Sequence, residues 1–431
     1  MAKTTDAARA RAARAAESLA RNAVDSLPEG ELAKKLELAE SEGRALRVKL
    51  GIDPTAPDIH LGHAVVLRKL REFQDAGHRV VLIIGDYTAR VGDPSGRSSE
   101  RPMLAPEEID ANAETFQAQA TKILDDDPQR LETRRNSEWL EMPLADLLAL
   151  LRTTTAAQLL ERDDFAQRWS ANEPISILEL LYPLLQGYDS VAVNADVELG
   201  GTDQKFNLLL GRDIQRAYGE ASQAILTMPL LVGIDGKRKM SKSLGNHIGI
   251  TDDPAEIYGR TMRIPDEAMA EYERLLLPEP DDSGGEPVRG AAAGSADARA
   301  AGNGTAARTP AGIPARDAKR ALARGLVSWL YSPADAKDAE RQFDRVHKEH
   351  EAPEEVPDAV IRAENGLVHL PAVIASEFGE SRSHARSLID EGGVSLGESA
   401  VQRGEYDVPL ERADGALLRV GKRRFRRLRA G

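Results

Sequence analysis

Between Leu46 and Asp86 the chain changes its hydrophobic period twice, and that change limits the folds open to it. Leu46, Val48 and Leu50 alternate with Arg47 and Lys49, as in a strand. Ala64–Gln74 then sets Leu67, Leu70 and Phe73 on one helical face, and Val80–Ile84 is an unbroken aliphatic run that stops at Gly85. Strand, helix and strand in about forty residues make a β-α-β unit, which commits this part of the chain to a parallel sheet. Nucleotide sites in such sheets lie beyond the carboxyl ends of the strands. Here that places Gly51–His63 and Gly85–Gly96 at the candidate site.

The 431 residues are enough for two or three domains, and no apolar run approaches the ~18 residues of a membrane span. With no cysteine, disulfides, thiolate metal ligands and thiol nucleophiles are excluded. The 57 basic and 70 acidic residues leave a net charge of -13, so any nucleic-acid contact must be local, and no DNA or membrane partner is expected. The Ala/Arg-rich start, Thr4–Asn22, is interrupted by Asp6 and Glu17. It reads as a frayed or solvated helix rather than a transit peptide, with cytoplasmic location as the default. Pro278–Pro314 is Pro, Gly, Ala, Ser and charge with few large aliphatics and is expected to be a disordered linker; helical character returns over Ala315–Tyr331.

Asp53-Pro54-Thr55 leads through a loop into His60-Leu61-Gly62-His63 at the start of the expected helix. A helix N-terminus offers unpaired N–H groups, and a glycine there admits a phosphate or a flat base to the backbone. Two histidines and a glycine alone are better explained by capping and packing. Lys239-Met240-Ser241-Lys242-Ser243 places two ammonium groups after the turn Gly233-Ile234-Asp235-Gly236-Lys237; alone it reads as a solvated loop. Together, and in this order, the two segments resemble the "HIGH" and "KMSKS" signatures of the class I aminoacyl-tRNA synthetases.

Four further stretches resemble the tyrosine enzymes of that class: Gly92-Asp93-Pro94-Ser95-Gly96, Leu181–Asp189, Gly200-Gly201-Thr202-Asp203-Gln204, and a C-terminal RNA-binding module. Tyr182, Gln186 and Asp189 also share one helix face by spacing, amid aliphatics where idle polar groups would be costly. The resemblance implies activation of L-tyrosine by ATP, with release of pyrophosphate, and transfer to tRNA(Tyr). Thr55, His60, His63, Lys239 and Lys242 are then the catalytic residues, and Gly51, Asp53, Gly62, Gly201, Asp203, Met240 and Ser241 hold ATP. Asp93 accepts the phenol hydroxyl, Tyr182 and Gln186 take the ammonium group, Asp189 supports the phenol side and Gln204 lines the pocket. Magnesium accompanies ATP and pyrophosphate, without dedicated protein ligands. At Lys49 many tyrosine enzymes carry a tyrosine, whereas another branch carries lysine; which group replaces that phenol is left open by the sequence.

From Leu367 the tail resembles an RNA-binding module first named in a ribosomal protein, with Arg382 and Arg386 one turn apart on a helix and a basic run including Lys422, Arg423 and Arg424. The expected organisation is an N-terminal extension (1–30), a Rossmann-like parallel-sheet catalytic domain with a dimer-forming insertion (31–250), an α-helical anticodon-binding domain (251–362) interrupted by the linker, and a small α+β RNA-binding domain (365–431). A homodimer follows from the resemblance alone. Two rivals are a tryptophan enzyme, against which Asp93 and Tyr182 argue, and a non-catalytic RNA-binding descendant, against which His60, His63, Asp203, Lys239 and Lys242 argue.

Overall fold

The computed structural model describes residues 6–55, 57–94, 105–277, 314–345, 356–397, 399–421 and 424–431. The expected linker up to residue 313, Ser95 and Gly96, and Lys422 and Arg423 lie outside the described residues. The chain divides into two compact units, Met1–Asp253 with Arg260–Leu330, and Pro254–Gly259 with Tyr331–Gly431.

The first unit is built on a six-stranded sheet of β1 (Asp25–Leu27), β2 (Arg47–Ile52), β3 (Arg79–Ile84), β4 (Leu131–Arg135), β5 (Val197–Gly201) and β6 (Ala224–Met228). Their order is β1-β6-β5-β2-β3-β4, all parallel except β1. Val80–Ile84 is buried along its length because helices cover both faces, which is why its sequence does not alternate. The helix Leu61–Asp75 joins β2 to β3 as the periodicity predicts, with Leu67, Leu70 and Phe73 in the core. From β2 the chain proceeds outward to β3 and β4, but β5 and β6 are added on the other side of β2. The strand order therefore reverses between β2 and β5, and a crevice opens beyond their carboxyl ends.

The N-terminal helix, Asp6–Leu19, is not frayed: it packs on the helix Glu31–Glu42, and Ala12 and Leu19 are buried. Ion pairs from Arg9 to Glu37 and from Arg11 to Glu40 line the seam. The helix Ala315–Leu330 matches the expected return of helical character and packs on Met269–Leu276.

The second unit contains β7 (Asp358–Ile361), β8 (Leu367–His369), β9 (Val394–Leu396), β10 (Ser399–Ala400), β11 (Asp407–Pro409), β12 (Leu417–Val420) and β13 (Arg424–Ala430). Five strands form a sheet in the order β10-β9-β12-β13-β7, and β11 pairs with β8. The helices Leu370–Phe378 and Arg382–Asp390 pack together, and Ile374, Ala385, Ile389, Leu418 and Leu428 fill one core. The helix Pro333–Asp344 belongs to this unit too, with Tyr258 against Phe343.

Candidate active site

A cavity of about 700 Å³ occupies the crevice at the β2/β5 reversal. Every residue that the sequence singled out for catalysis, ATP or tyrosine lines it: Gly51, Asp53, Thr55, His60, Gly62, His63, Asp93, Tyr182, Gln186, Asp189, Gly201, Asp203, Gln204, Lys239, Met240, Ser241 and Lys242.

His60 caps the helix Leu61–Asp75. Its Nδ1 accepts from the Gly62 N–H at 3.1 Å, and His63 Nδ1 accepts reciprocally from the His60 N–H. The imidazoles stack with centroids 3.9 Å apart. A Cβ on Gly62 would come within 2.9 Å of the His60 ring, so glycine is required for the capping ring to lie where it does. Burial, reinforced by the neighbouring His63 and His247, pushes His60 down to about 2; burial alone holds His63 at about 4. Both rings are therefore neutral at physiological pH. Because each Nδ1 acts as acceptor, the ring proton resides on Nε2, leaving an uncharged N–H donor on each histidine.

Asp53 stands at the end of β2 and reaches the opposite wall. Its carboxylate accepts from the Tyr182 hydroxyl at 3.0 Å and from Thr88 Oγ1 at 2.7 Å. Gly85 is needed here, since a Cβ would lie 2.1 Å from Asp53 Oδ1. Burial and the nearby Asp53 carboxylate push the Tyr182 phenol up, so it stays a donor.

The helix Ile177–Ala192 carries the face Tyr182, Gln186 and Asp189 into the cavity. Ser176 caps it, and Glu179 returns a bond to the Ser176 N–H while pairing with the buried Arg168 guanidinium. Asp189 is 3% exposed and accepts from Trp139 Nε1 at 2.8 Å and, at longer range, from Asn136 Nδ2. Burial raises it to about 6 against the pull of Lys49 and these two donors. Asp93 belongs to a different group. It accepts from Gln204 Nε2 at 2.8 Å; Asn207 Nδ2 donates to both Gln204 Oε1 and Gln186 Oε1, and Arg162 bonds Asn207 Oδ1.

On the nucleotide side, Lys239 Nζ is 3.0 Å from Asp203 Oδ2 and Lys242 pairs closely with Asp58. The loop that carries them is tied down by Asn246, whose Oδ1 accepts from the Ser241 N–H and whose amide donates to Asp235. Thr88 and Asn136 line the cavity, and Trp139 and Asn207 reach it through Asp189, Gln186 and Gln204; all four escaped the sequence reading, because each stands alone without a local motif. Asp58 lies within the Asp53–His63 segment, but its pairing with Lys242 is set by the fold.

In the second unit, Arg382 and Arg386 are exposed on one helix, with Arg386 over the Tyr406 ring. Arg424 does not present an unpaired charge: it bonds Glu380 at 2.6 Å and lies over Phe378.

The model of the family "tRNA synthetases class I (W and Y)" matches residues 41–281. The tyrosine--tRNA ligase of Thermotoga maritima is 48% identical over 415 residues, covering 96% of both chains, and that of Moorella thermoacetica is 46% identical over 412, covering 95% of this chain and 94% of the relative. The chain belongs to the tyrosine branch of this synthetase family. It is thus an aminoacyl-tRNA ligase with a Rossmann-like catalytic domain. Among solved structures, the tyrosyl-tRNA synthetase of Archaeoglobus fulgidus complexed with L-tyrosine superimposes with a TM-score of 0.57 at 25% identity, covering 76% of this chain and 99% of that one. A C-terminally truncated mitochondrial tyrosyl-tRNA synthetase from Aspergillus nidulans gives 0.58 at 20% identity, covering 79% and 100%, a likeness of fold. No helix among the described residues is long and apolar enough to cross a membrane.

Proposed function

We propose that the cavity joins L-tyrosine to ATP, and that the tyrosyl-adenylate formed there passes its acyl group to tRNA(Tyr). The observation that carries this reading is the convergence of all the candidate nucleotide and tyrosine residues, drawn from opposite ends of the first 250 positions, on one cavity at the sheet's reversal point. The tyrosine carboxylate is already ionised and attacks the α-phosphorus of ATP, while the bond to the β,γ-pyrophosphate breaks. No protein base is required, so the chain's task is placement and charge stabilisation. The Nε2–H groups of His60 and His63 donate to the phosphate oxygens. Lys239 and Lys242 leave their carboxylates and follow the departing pyrophosphate, while Asp203 is freed for the ribose. Thr55, at the end of the Asp53 loop, adds a hydroxyl beside the phosphates. Magnesium arrives as the counter-ion of ATP and pyrophosphate.

The hydrogen-bond pattern supports a revision of the tyrosine contacts that the resemblance implied. Asp93 is linked through Gln204 and Asn207 to Gln186, which groups it with the ammonium acceptors. Asp189 is the deeply buried carboxylate and stands apart from that chain. We therefore assign the phenol hydroxyl to Asp189 and the ammonium group to Asp93, Tyr182 and Gln186.

Exposed Leu144, Leu148, Trp169 and Ile177 lie in the insertion between β4 and β5. Their exposure supports the homodimer, because apolar side chains concentrated in one short segment mark an association surface. Leu148→Asp with Ile177→Asp is expected to give monomers in sedimentation. The RNA-facing role falls to the helices after residue 250 and to the module carrying Arg382 and Arg386.

ATP–pyrophosphate exchange measured with each amino acid tests the reading: tyrosine supports exchange and phenylalanine supports far less. In Asp189→Asn that preference shrinks, since the tyrosine phenol exchanges a charged acceptor for a neutral amide and phenylalanine never used either. Exchange stimulated equally by tryptophan, or a preference untouched by Asp189→Asn, would sink the assignment.

A further inference from the structure

Beneath the tyrosine cavity lies a charged group that this mechanism does not use. Lys49 is fully buried on β2, and its Nζ is 2.8 Å from Oε1 of Glu198, its register partner on β5. The other two N–H bonds of the ammonium go to the helix Ile177–Ala192, to Ser190 Oγ at 2.7 Å and to the Gln186 carbonyl at 2.9 Å. The Ser190 hydroxyl in turn donates to Glu198 Oε2, which also accepts from Gln223 Nε2. All three ammonium donors are satisfied, and the carboxylate is held from both sides.

Such a pair is costly to bury, and a well-packed apolar pair of similar volume would serve stability at least as well. Its placement suggests another role. Gln186 and Ser190, the two helix residues that Lys49 grips, bracket Asp189. The charged and titratable groups facing Asp189 are Lys49 from β2, Glu198 from β5 and Tyr182 from its own helix, beside the neutral donors Trp139 and Asn136. Among these, Lys49 is the cation, and its pull on the Asp189 carboxylate exceeds the opposing push from Glu198.

We propose that Lys49 is a positioning residue for tyrosine recognition: its ammonium fixes the turn Gln186–Ser190 against the sheet and so holds the Asp189 carboxylate where it accepts the substrate's phenol. This rests on the reading of the cavity given above. Glu198 is the counter-charge that makes a lysine tolerable at this depth.

Tyrosine-dependent exchange by the full chain tests it. Lys49→Met alone leaves Glu198 buried and unpaired and risks the fold, so Lys49→Met/Glu198→Gln accompanies it. In the double variant the KM for tyrosine is expected to rise about tenfold near pH 6, with the acid limb of kcat/KM for tyrosine displaced to higher pH. The KM for ATP is expected to stay within about twofold of the parent, and the kcat/KM for phenylalanine, which uses Gln186 but not Asp189, to fall several-fold less than that for tyrosine. An unmoved limb with an unchanged tyrosine-to-phenylalanine ratio would overturn the proposal. So would parallel losses for both amino acids without a limb shift, which would make Lys49 a packing residue only. Asp189→Asn separates the two levels of inference. A normal ratio in that variant refutes the reading of the cavity, whereas a lost ratio there beside an intact one in the Lys49 variants refutes the role of Lys49 alone.

Discussion

The ammonium of Lys239 lies 3.0 Å from a carboxylate oxygen of Asp203, so two residues assigned to opposite ends of ATP hold each other. Lys242 and Asp58 form a second such pair. Both pairs are partly solvated, and pairs of this kind contribute at most about 1 kcal/mol to stability. They are weak enough for ATP to displace and specific enough to keep both lysines near the phosphates. Lys242→Ala is expected to lower the exchange rate about 10²- to 10³-fold with the tyrosine KM unchanged, because its partner gains charge only as pyrophosphate leaves. Asp58→Asn is expected to leave the Tm nearly unchanged and to lower the KM for ATP. Steady-state exchange kinetics decide both, and a Lys242→Ala variant that weakens tyrosine in step with the rate would remove the lysine from the pyrophosphate.

The site helix depends on its first turn. Glu179 accepts two bonds from Arg168 and one from the Ser176 N–H, with both charged partners almost wholly buried. Glu179→Ala is expected to cost about 3–5 kcal/mol, since Arg168 is left uncompensated and the helix loses half its capping box. Glu179→Gln, which keeps one acceptor, is expected to lose less. Denaturant unfolding of the three proteins ranks them, and equal stabilities would show that Arg168 finds another acceptor.

What the sequence made legible was local. The β-α-β unit could be read because the period of Leu46–Leu50 and that of Leu67–Phe73 are set by backbone geometry, and the His60 and Lys239 segments because they are short and contiguous. Asp53 illustrates the opposite case: its partners, Thr88 and Tyr182, stand 35 and 129 residues away, so nothing near Thr88 signals its role. The Ala/Arg-rich N-terminal helix reads as frayed or solvated because it has few large apolar positions, yet Ala12 and Leu19 suffice to dock it. Asp93 and Asp189 were both readable as pocket residues. The division of labour we propose for them was not, because it rests on the side-chain relay through Asn207.

The second unit offers a test of RNA recognition independent of the chemistry. Arg382 and Arg386 are exposed, whereas Arg424 is engaged by Glu380 and Arg426 by Glu377. Arg382→Ala/Arg386→Ala is therefore expected to weaken tRNA binding and to reduce its salt slope by about 1–2, with adenylate formation intact. Arg424→Ala is expected to act chiefly on the stability of this unit. Binding isotherms at several salt concentrations distinguish the two, and an unchanged slope in the double variant would place the RNA surface elsewhere.

Acid should expose the buried imidazoles as a loss of stability. In the unfolded chain His60 and His63 take up protons near pH 6.5. In the folded chain they resist down to about 2 and about 4. Above 6.5 both are neutral in both states and contribute no pH dependence. As pH falls below 6.5 the unfolded chain binds protons that the folded chain refuses, so stability declines. Asp189 works in the other direction, because its folded value of about 6 lies above the ordinary carboxylate range and the folded chain takes up its proton first. Between pH 6 and 4 the two histidines therefore outweigh the one carboxylate, and these three groups together give a net uptake of about one proton on unfolding. His63→Asn removes one of the opposing terms and keeps a neutral side chain that can still accept the His60 N–H. Its stability relative to the parent is expected to improve by about 2 kcal/mol between pH 7.5 and pH 5, read from denaturant unfolding at each pH. A difference between the two proteins that does not vary with pH would mean that His63 titrates in the folded chain as it does in the unfolded one, and that burial does not hold its ring neutral below pH 6.5.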